Sequence, residues 1–339
     1  MSTPTQTQIL SLTEIEELAF GALVAAGTSG ENARPLAVAT AQTEADGVAS
    51  HGLAYIPIYA EHVRCGKVDG QATPVLDTPR PGVITVDAAT GFAHPAISMG
   101  FEALIPMAKA QGIAALAIRN SYNCGVLGLH TRRLAEAGLM ALGFTNAPAS
   151  IAPSGGHRPV VGTNPISVAA PDGQGGAAVL IDQSASVIAK SEIMKYSREG
   201  KAIPLGWGLD AQGQPTTDAD VALKGSMAPA GGYKGVGLSL IVEMMAAAMT
   251  GATLGKDASP FSGTAGGPPR TGQFFIAIDP AASSGGDFAT RITDLIGAIH
   301  DQKGARLPGD GRGAARARAA KAGVAINSAT LERVRALLG

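Results

Sequence analysis

The chain opens on stretches whose apolar residues recur at helical intervals. Leu12, Ile15, Ala19 and Leu23 fall three or four places apart, and Ser11 with Glu14 has the spacing of a capping box just ahead of them. Gly27 is a natural stop. A second helix is expected from about Ser29, with Ala33, Leu36, Ala37 and Ala41 on one side, and Asp46-Gly47 ends its pattern. A third carries Tyr59, His62 and Val63 and stops before Gly66. Residues 70–80 contain Pro and Asp and read as a connection.

Beyond them the pattern alternates. Short apolar runs at 83–86, 113–118, 139–144, 166–169 and 177–181 read as strands. Between them lie a helix from Pro95 to Gln111, closed by Gly112, and another over 131–137. Residues 197–232 are rich in Gly, Pro, Asp and Gln and read as a long functional loop or several turns. An apolar helix is expected over 235–250, with Gly251 after it. A Gly/Pro-rich stretch (255–272), a strand (274–278), a helix (288–301), a basic run (306–321) and a last helix (328–338) complete the chain. The mixture predicts an α/β fold without fixing strand order.

Composition narrows the class. With 339 residues and 45% hydrophobic, the chain can build a core and more than one lobe, and disorder is excluded. Only 16% of residues are charged and the net charge is -1, which argues against general binding to a phosphate backbone. No run of 18 apolar residues is present, so neither nucleic acid nor membrane is an expected partner. The first ten residues lack a basic region and an apolar run, so no secretory signal is read there and a cytoplasmic location is the expectation. Cys65 and Cys124 make no disulfide framework and no zinc spacing.

The common cradles for nucleotides are missing. There is no GxGxxG and no GxxxxGK[ST], and HExxH and GxSxG are absent too. Ser50-His51-Gly52 is the first positive candidate: a histidine moves protons near neutral pH, a serine can orient it, and a glycine lets a substrate approach. The same three residues also suit a helix-terminal turn. The polar run from Asn120 to Gly125 follows a buried strand, where clefts are often lined, or it is a plain turn. Cys124 within it has no activating base in view, so a buried or lining thiol is the better reading. The Gly-rich loop over 153–165 carries Thr163 and Asn164, which can fix an amide or carboxylate. Tyr233-Lys234 enters the apolar helix where an anion could sit at its N-terminus, and Arg306 to Arg312 brackets a turn with two arginines. Solvated surface is the plain alternative for both.

Together, DGVASHG (46–52), RNSYNCG (119–125), GTNPI (162–166), IDQSAS (181–186), GGYKGVGLSLIVEMMAAAMTG (231–251) and RLPGD (306–310) resemble the malate/L-lactate dehydrogenase family that is distinct from the Rossmann-fold dehydrogenases. The resemblance spans essentially the whole chain. REG at 198–200, Ile203-Pro204 and RLPGD are most similar to its Δ1-pyrroline-2-carboxylate/Δ1-piperideine-2-carboxylate reductase branch. It implies a non-Rossmann NAD(P)-binding α/β fold in three parts: a helical N-terminal segment (1–75), an α/β cofactor-binding region (76–285) and a helical C-terminal segment (286–339) packing with the first. It implies reduction of a cyclic imino acid with NADPH, NADH being the alternative, in a homodimer. The alternative activity is an NAD(P)-dependent 2-hydroxy-acid dehydrogenase of malate, lactate, ureidoglycolate or sulfolactate type.

Residue by residue, the resemblance implies His51 as catalytic acid, with Ser50 and Glu192 as its relay. Tyr55, Thr163 and Asn164 fall on the substrate side. Cofactor contacts map to Asn123, Cys124, Gly125, Val126 and Leu127, to Asp182, Gln183 and Ser184, and to Tyr233 and Lys234. Arg306, Leu307, Pro308, Gly309, Asp310, Gly311 and Arg312 match a phosphate-binding segment. Two departures stand out: Tyr55 occupies the place of an arginine suited to a carboxylate, and Asn123 that of a histidine.

Overall fold

The computed structural model describes residues 6–339. After β1 (Thr7–Leu10), α1 (Leu12–Ala25) starts on a realised capping box: the Glu14 N–H donates to Ser11 Oγ at 3.2 Å, and the Ser11 N–H donates to the Glu14 carboxylate at 2.8 Å. Ser29 caps α2 (Gly30–Ala45), and α3 (Ile56–Arg64) follows two short 3₁₀ turns. Leu23, Leu36, Ile56 and Tyr59 bury the facing sides of these helices. Each such leucine contributes ~2 kcal/mol by leaving water.

The central body runs β2 (Val75–Arg80), β3 (Val83–Asp87), α4 (Ala93–Gln111), β4 (Ile113–Ser121), α5 (Leu127–Glu136), β5 (Met140–Thr145), β6 (Ile166–Pro171) and β7 (Ala177–Gln183). Gly112 closes α4 at φ 84°, a left-handed position that favours glycine. A small lobe follows: α6 (Lys190–Arg198), β8 (Gly208–Leu209), β9 (Pro215–Thr216), α7 (Ala219–Lys224) and β10 (Ser226–Met227), packed on Ile151, Ile193, Ile203 and Met227. Then come α8 (Tyr233–Glu243), extended by a π-helical turn over Met244–Ala248, and β11 (Thr271–Ile278). The chain ends with α9 (Ala281–Ser284), α10 (Phe288–His300), α11 (Asp310–Ala322), β12 (Val324–Asn327) and α12 (Ser328–Arg335).

The seven-stranded sheet has the order β2-β3-β4-β11-β5-β6-β7. Only β3 and β4 pair in parallel; every other neighbouring pair is antiparallel. That is not a doubly wound sheet, which explains why the Gly-rich strand-to-helix fingerprint is missing. α4 and α5 cover one face through Ile97, Leu104 and Leu134 against Leu116, Ile118 and Phe275. Val242 and Ala246 cover the other against Phe144 and Phe274. The chain ends meet: β1 pairs antiparallel with β12, and Leu331 and Val334 of α12 join the core of α1–α3.

Three readings of the sequence change. Residues 75–80 form an edge strand rather than a connection, with an irregular register around Pro79, which can only sit at an edge. Residues 197–232 hold a small three-stranded sheet and a helix with their own core, rather than a loop. The basic run after 306 contains the helix α11.

Candidate active site

α2 ends at Asp46, and Gly47 turns the chain at φ 75° into the two 3₁₀ turns Ala49–His51 and Leu53–Tyr55. His51 is half-buried there. Its Nδ1 lies 3.0 Å from Ser50 Oγ, so the other ring nitrogen is left free for a ligand. Burial lowers the proton affinity of His51; the carboxylate of Asp182 raises it, and the guanidinium of Arg312 lowers it. Those two groups form an ion pair, Arg312 Nη1 to Asp182 Oδ2 at 2.7 Å.

The ring of Tyr55 lies parallel to that of His51, with centroids 6.0 Å apart. Burial pushes its hydroxyl up to about 12, so it stays a neutral hydrogen-bond donor at ordinary pH. Tyr55 packs edge-on against Tyr59, and Tyr59 against Tyr122 and Phe92. The Tyr59 hydroxyl donates to Asn123 Oδ1 at 3.1 Å, which also accepts the Gly125 N–H at 3.2 Å. Asn123 Nδ2 is buried with no partner among the described residues. A buried donor left open next to Tyr59 is what a bound ligand would satisfy.

The remaining predicted residues fall into three groups. Gln183, Ser184 and Lys234 meet in one cleft of about 520 Å³, also lined by Ser186, Ala189 and Gly235. Lys234 makes no ion pair among the described residues, and Tyr233 beside it is 71% exposed. A free cation at the start of α8, with the serine hydroxyls, fits the anionic part of a nucleotide cofactor. Asp182, whose charge acts on His51, is the residue just before this cleft in the chain. Cys124 is buried and its thiol is pushed up to about 12, so it is an inert lining group; its carbonyl accepts from His130 Nε2 at 2.9 Å. Val126 and Leu127 are buried at the start of α5.

In the last of the three groups, the Leu307 N–H donates to Asp310 Oδ2 at 2.8 Å, Gly309 takes φ 96°, and Arg306 is exposed. Pro308 and Gly311 complete this turn.

Three assignments look different in three dimensions. Glu192 lies in α6, half-buried and 3.8 Å from Lys195; no hydrogen bond among the described residues joins it to His51, and the carboxylate that acts on His51 is Asp182. Arg312 is held by Asp182 rather than standing free for a phosphate. Asn164 is fully buried with its amide in use: Oδ1 accepts the Ala147 N–H at 3.0 Å, and Nδ2 donates to the Ser239 carbonyl at 3.0 Å and to Glu243 at 2.7 Å. It shapes the loop that presents Thr163, whose hydroxyl makes no hydrogen bond among the described residues. Sequence reasoning missed Glu44, Tyr59 and Tyr122. Glu44 carried a signal, since it is a charged residue on the side of α2 that holds Ala37 and Ala41.

Residues 10–335 match the malate/L-lactate dehydrogenase family. The chain belongs to that family. Its fold is the α/β, non-Rossmann one, with helical N- and C-terminal segments, and the family makes it an NAD(P)H-dependent oxidoreductase. Among family members it is 44% identical over 309 residues to a (2R)-3-sulfolactate dehydrogenase (NADP(+)) from Chromohalobacter salexigens, covering 91% of this chain and 92% of the relative. It is 40% identical over 331 residues to a Δ1-pyrroline-2-carboxylate reductase from Ancylobacter novellus, covering 97% of each. The crystal structure of Δ1-piperideine-2-carboxylate reductase from Pseudomonas syringae pv. tomato superposes with a TM-score of 0.92 at 38% identity, covering 98% of this chain and 100% of that one.

Proposed function

We propose that this family member reduces cyclic imino acids, Δ1-pyrroline-2-carboxylate to L-proline and Δ1-piperideine-2-carboxylate to L-pipecolate, with NADPH. The observation that carries the reading is the neutral wall beside His51. Tyr55 stands where a carboxylate-binding arginine is expected, Tyr59 and Tyr122 back it, and the nearby Arg312 is neutralised by Asp182. Such a wall suits a compact monocarboxylate whose ring nitrogen carries a proton, and it disfavours a doubly charged acid. The likeness to the two reductases supports the same reading.

When bound, the reduced nicotinamide supplies the hydride that the imine carbon needs. The chain's own part is proton control and placement. Ser50 Oγ holds the ring of His51 through Nδ1, and the free nitrogen of the ring meets the imine nitrogen. Burial holds the proton affinity of His51 below its ordinary value, so near pH 7 its free nitrogen accepts a hydrogen bond from an iminium that enters already protonated; an imine that enters neutral takes its proton from the protonated fraction of the ring, which solvent recharges. Tyr55 and the open Asn123 amide donate to the substrate. Lys234, Gln183 and Ser184 would hold the cofactor, and exposed Arg306 is the cation open to the 2′-phosphate of NADPH.

A second reading, a 2-hydroxy-acid dehydrogenase, is favoured by the 44% identity to the sulfolactate enzyme. There His51 would exchange a proton with the carbonyl or hydroxyl oxygen. Initial rates for NADPH and NADH against pyrroline-2-carboxylate, piperideine-2-carboxylate, pyruvate and 3-sulfopyruvate separate the two. Turnover of the imines above the oxo acids is expected; the reverse order overturns the first reading.

A further inference from the structure

We propose that Glu44 is a positioning residue that sets the Ser50-His51-Gly52 turn from behind. Glu44 belongs to the last turn of α2, and only 5% of it is exposed. Its Oε1 accepts the Leu53 N–H at 2.7 Å. Within the turn the His51 N–H donates to the Val48 carbonyl and the Gly52 N–H to the Ala49 carbonyl. The Leu53 N–H is left over, and Glu44 takes it. No ion pair to Glu44 is formed among the described residues.

The glycine of the motif has its explanation in the same contact. Gly52 stands at φ -91° and ψ -140°. A Cβ there would overlap the Glu44 carboxyl, meeting Oε1, Cδ and Cγ. The carboxyl therefore fills the volume that a side chain at position 52 would need. His51 is bonded directly to Gly52, so this contact fixes where the imidazole stands. A shift of about 1 Å in a reacting group can cost on the order of 100-fold in rate.

The inference rests on His51 being catalytic, and the experiment separates the two. Turnover of wild type, E44A, E44Q, E44L, G52A, the double variant E44A/G52A and H51A is measured on whichever imine or 2-oxo acid wild type reduces. Cofactor binding is followed in parallel by NADPH fluorescence. E44A and E44L are expected to lower kcat at least about tenfold while the NADPH Kd moves less than about twofold. E44Q, which keeps an oxygen acceptor, stays within about threefold of wild type. G52A is expected to lose activity, and E44A/G52A to recover part of it, because removing the carboxyl vacates the space. Wild-type kcat in E44A and E44L with H51A inactive overturns the proposal and leaves His51 standing. Full turnover by folded H51A overturns the catalytic role of His51, and this proposal with it. If E44A fails to fold, E44L and the double variant decide; a double variant no better than G52A overturns the steric link.

Discussion

His51 is where single side chains decide most. His51→Ala is expected to lower kcat by about 10² to 10⁴-fold with the circular dichroism spectrum unchanged. Burial lowers its proton affinity, and a pair of opposed charges adjusts it, which gives a signed test. Removing the Arg312 guanidinium in R312M leaves Asp182 unbalanced, so the His51 ring holds its proton more tightly. The inflection of kcat/KM assigned to His51 then moves to higher pH. D182N removes the carboxylate and moves the inflection to lower pH. Shifts in the same direction from both variants would refute the electrostatic account.

At the scale of elements, helices α5 and α11 are locked to the end of α2 by one carboxylate. Asp46, almost fully buried, accepts from Arg132 of α5 at 3.0 Å and from Arg316 of α11 at 2.7 Å. Arg316 and Arg312 lie four residues apart on α11, so one face of that helix grips Asp46 and Asp182 together. D46A takes away the buried carboxylate of Arg132 and leaves it Glu136 at 3.3 Å and Gln42 at 3.4 Å, and a loss of about 2–3 kcal/mol is expected in denaturant unfolding, against much less for R316A, which leaves the Asp46–Arg132 pair in place. A loss under about 1 kcal/mol for D46A would show the network to be dispensable. A second element-level test uses the histidines under α4 and α5. His94 and His130 pack edge-on with centroids 5.4 Å apart, each with a buried Nδ1 that has no partner among the described residues. Burial pushes His130 down to about 4 and His94 in the same direction. Both rings bind protons less readily folded than unfolded, so their contribution is intact above about pH 6.5 and is lost as pH falls from there through about 4. Tm should fall across that window, and less steeply in H130N.

The same elements show what the sequence could carry. The capping box at Ser11, the Ser29 cap and the Gly112 stop are local signals, and the structure realises each of them. β8, β9 and β10 are two residues long, too short for any period to register, and β1 and β12 exist only because the two chain ends meet. α11 is written in Gly, Ala and Arg with no apolar stripe, so only the partners of Arg312 and Arg316 reveal which face is inward. The site divides the same way: motif residues could be named from sequence, but the place of Asp182 rather than Glu192 beside His51 depends on strand order, which no pattern encodes.

For the whole molecule the open question is what covers α8. Leu240, Ile241, Met244 and Met249 are 46, 47, 55 and 62% exposed along this helix and its π-helical extension. The only charged residue from Gly235 to Met249 is Glu243, and it is buried. An uncharged apolar stripe of this length is costly to leave in water and is self-complementary, so a second copy of the chain is the proposed occupant, related by a twofold axis. The same helix lines the cofactor cleft with Lys234 and Leu238 at its start, so a partner that covers the helix would lie beside the cleft and close it. Light scattering should then give about twice the 34.0 kDa of the chain. The double variant I241E/M244E, which sets charges against each other across the axis, should run as a monomer and bind NADPH more weakly. Wild type that stays monomeric at micromolar concentration would remove the dimer, and a monomeric variant with unchanged NADPH affinity would keep the dimer but uncouple it from the cleft.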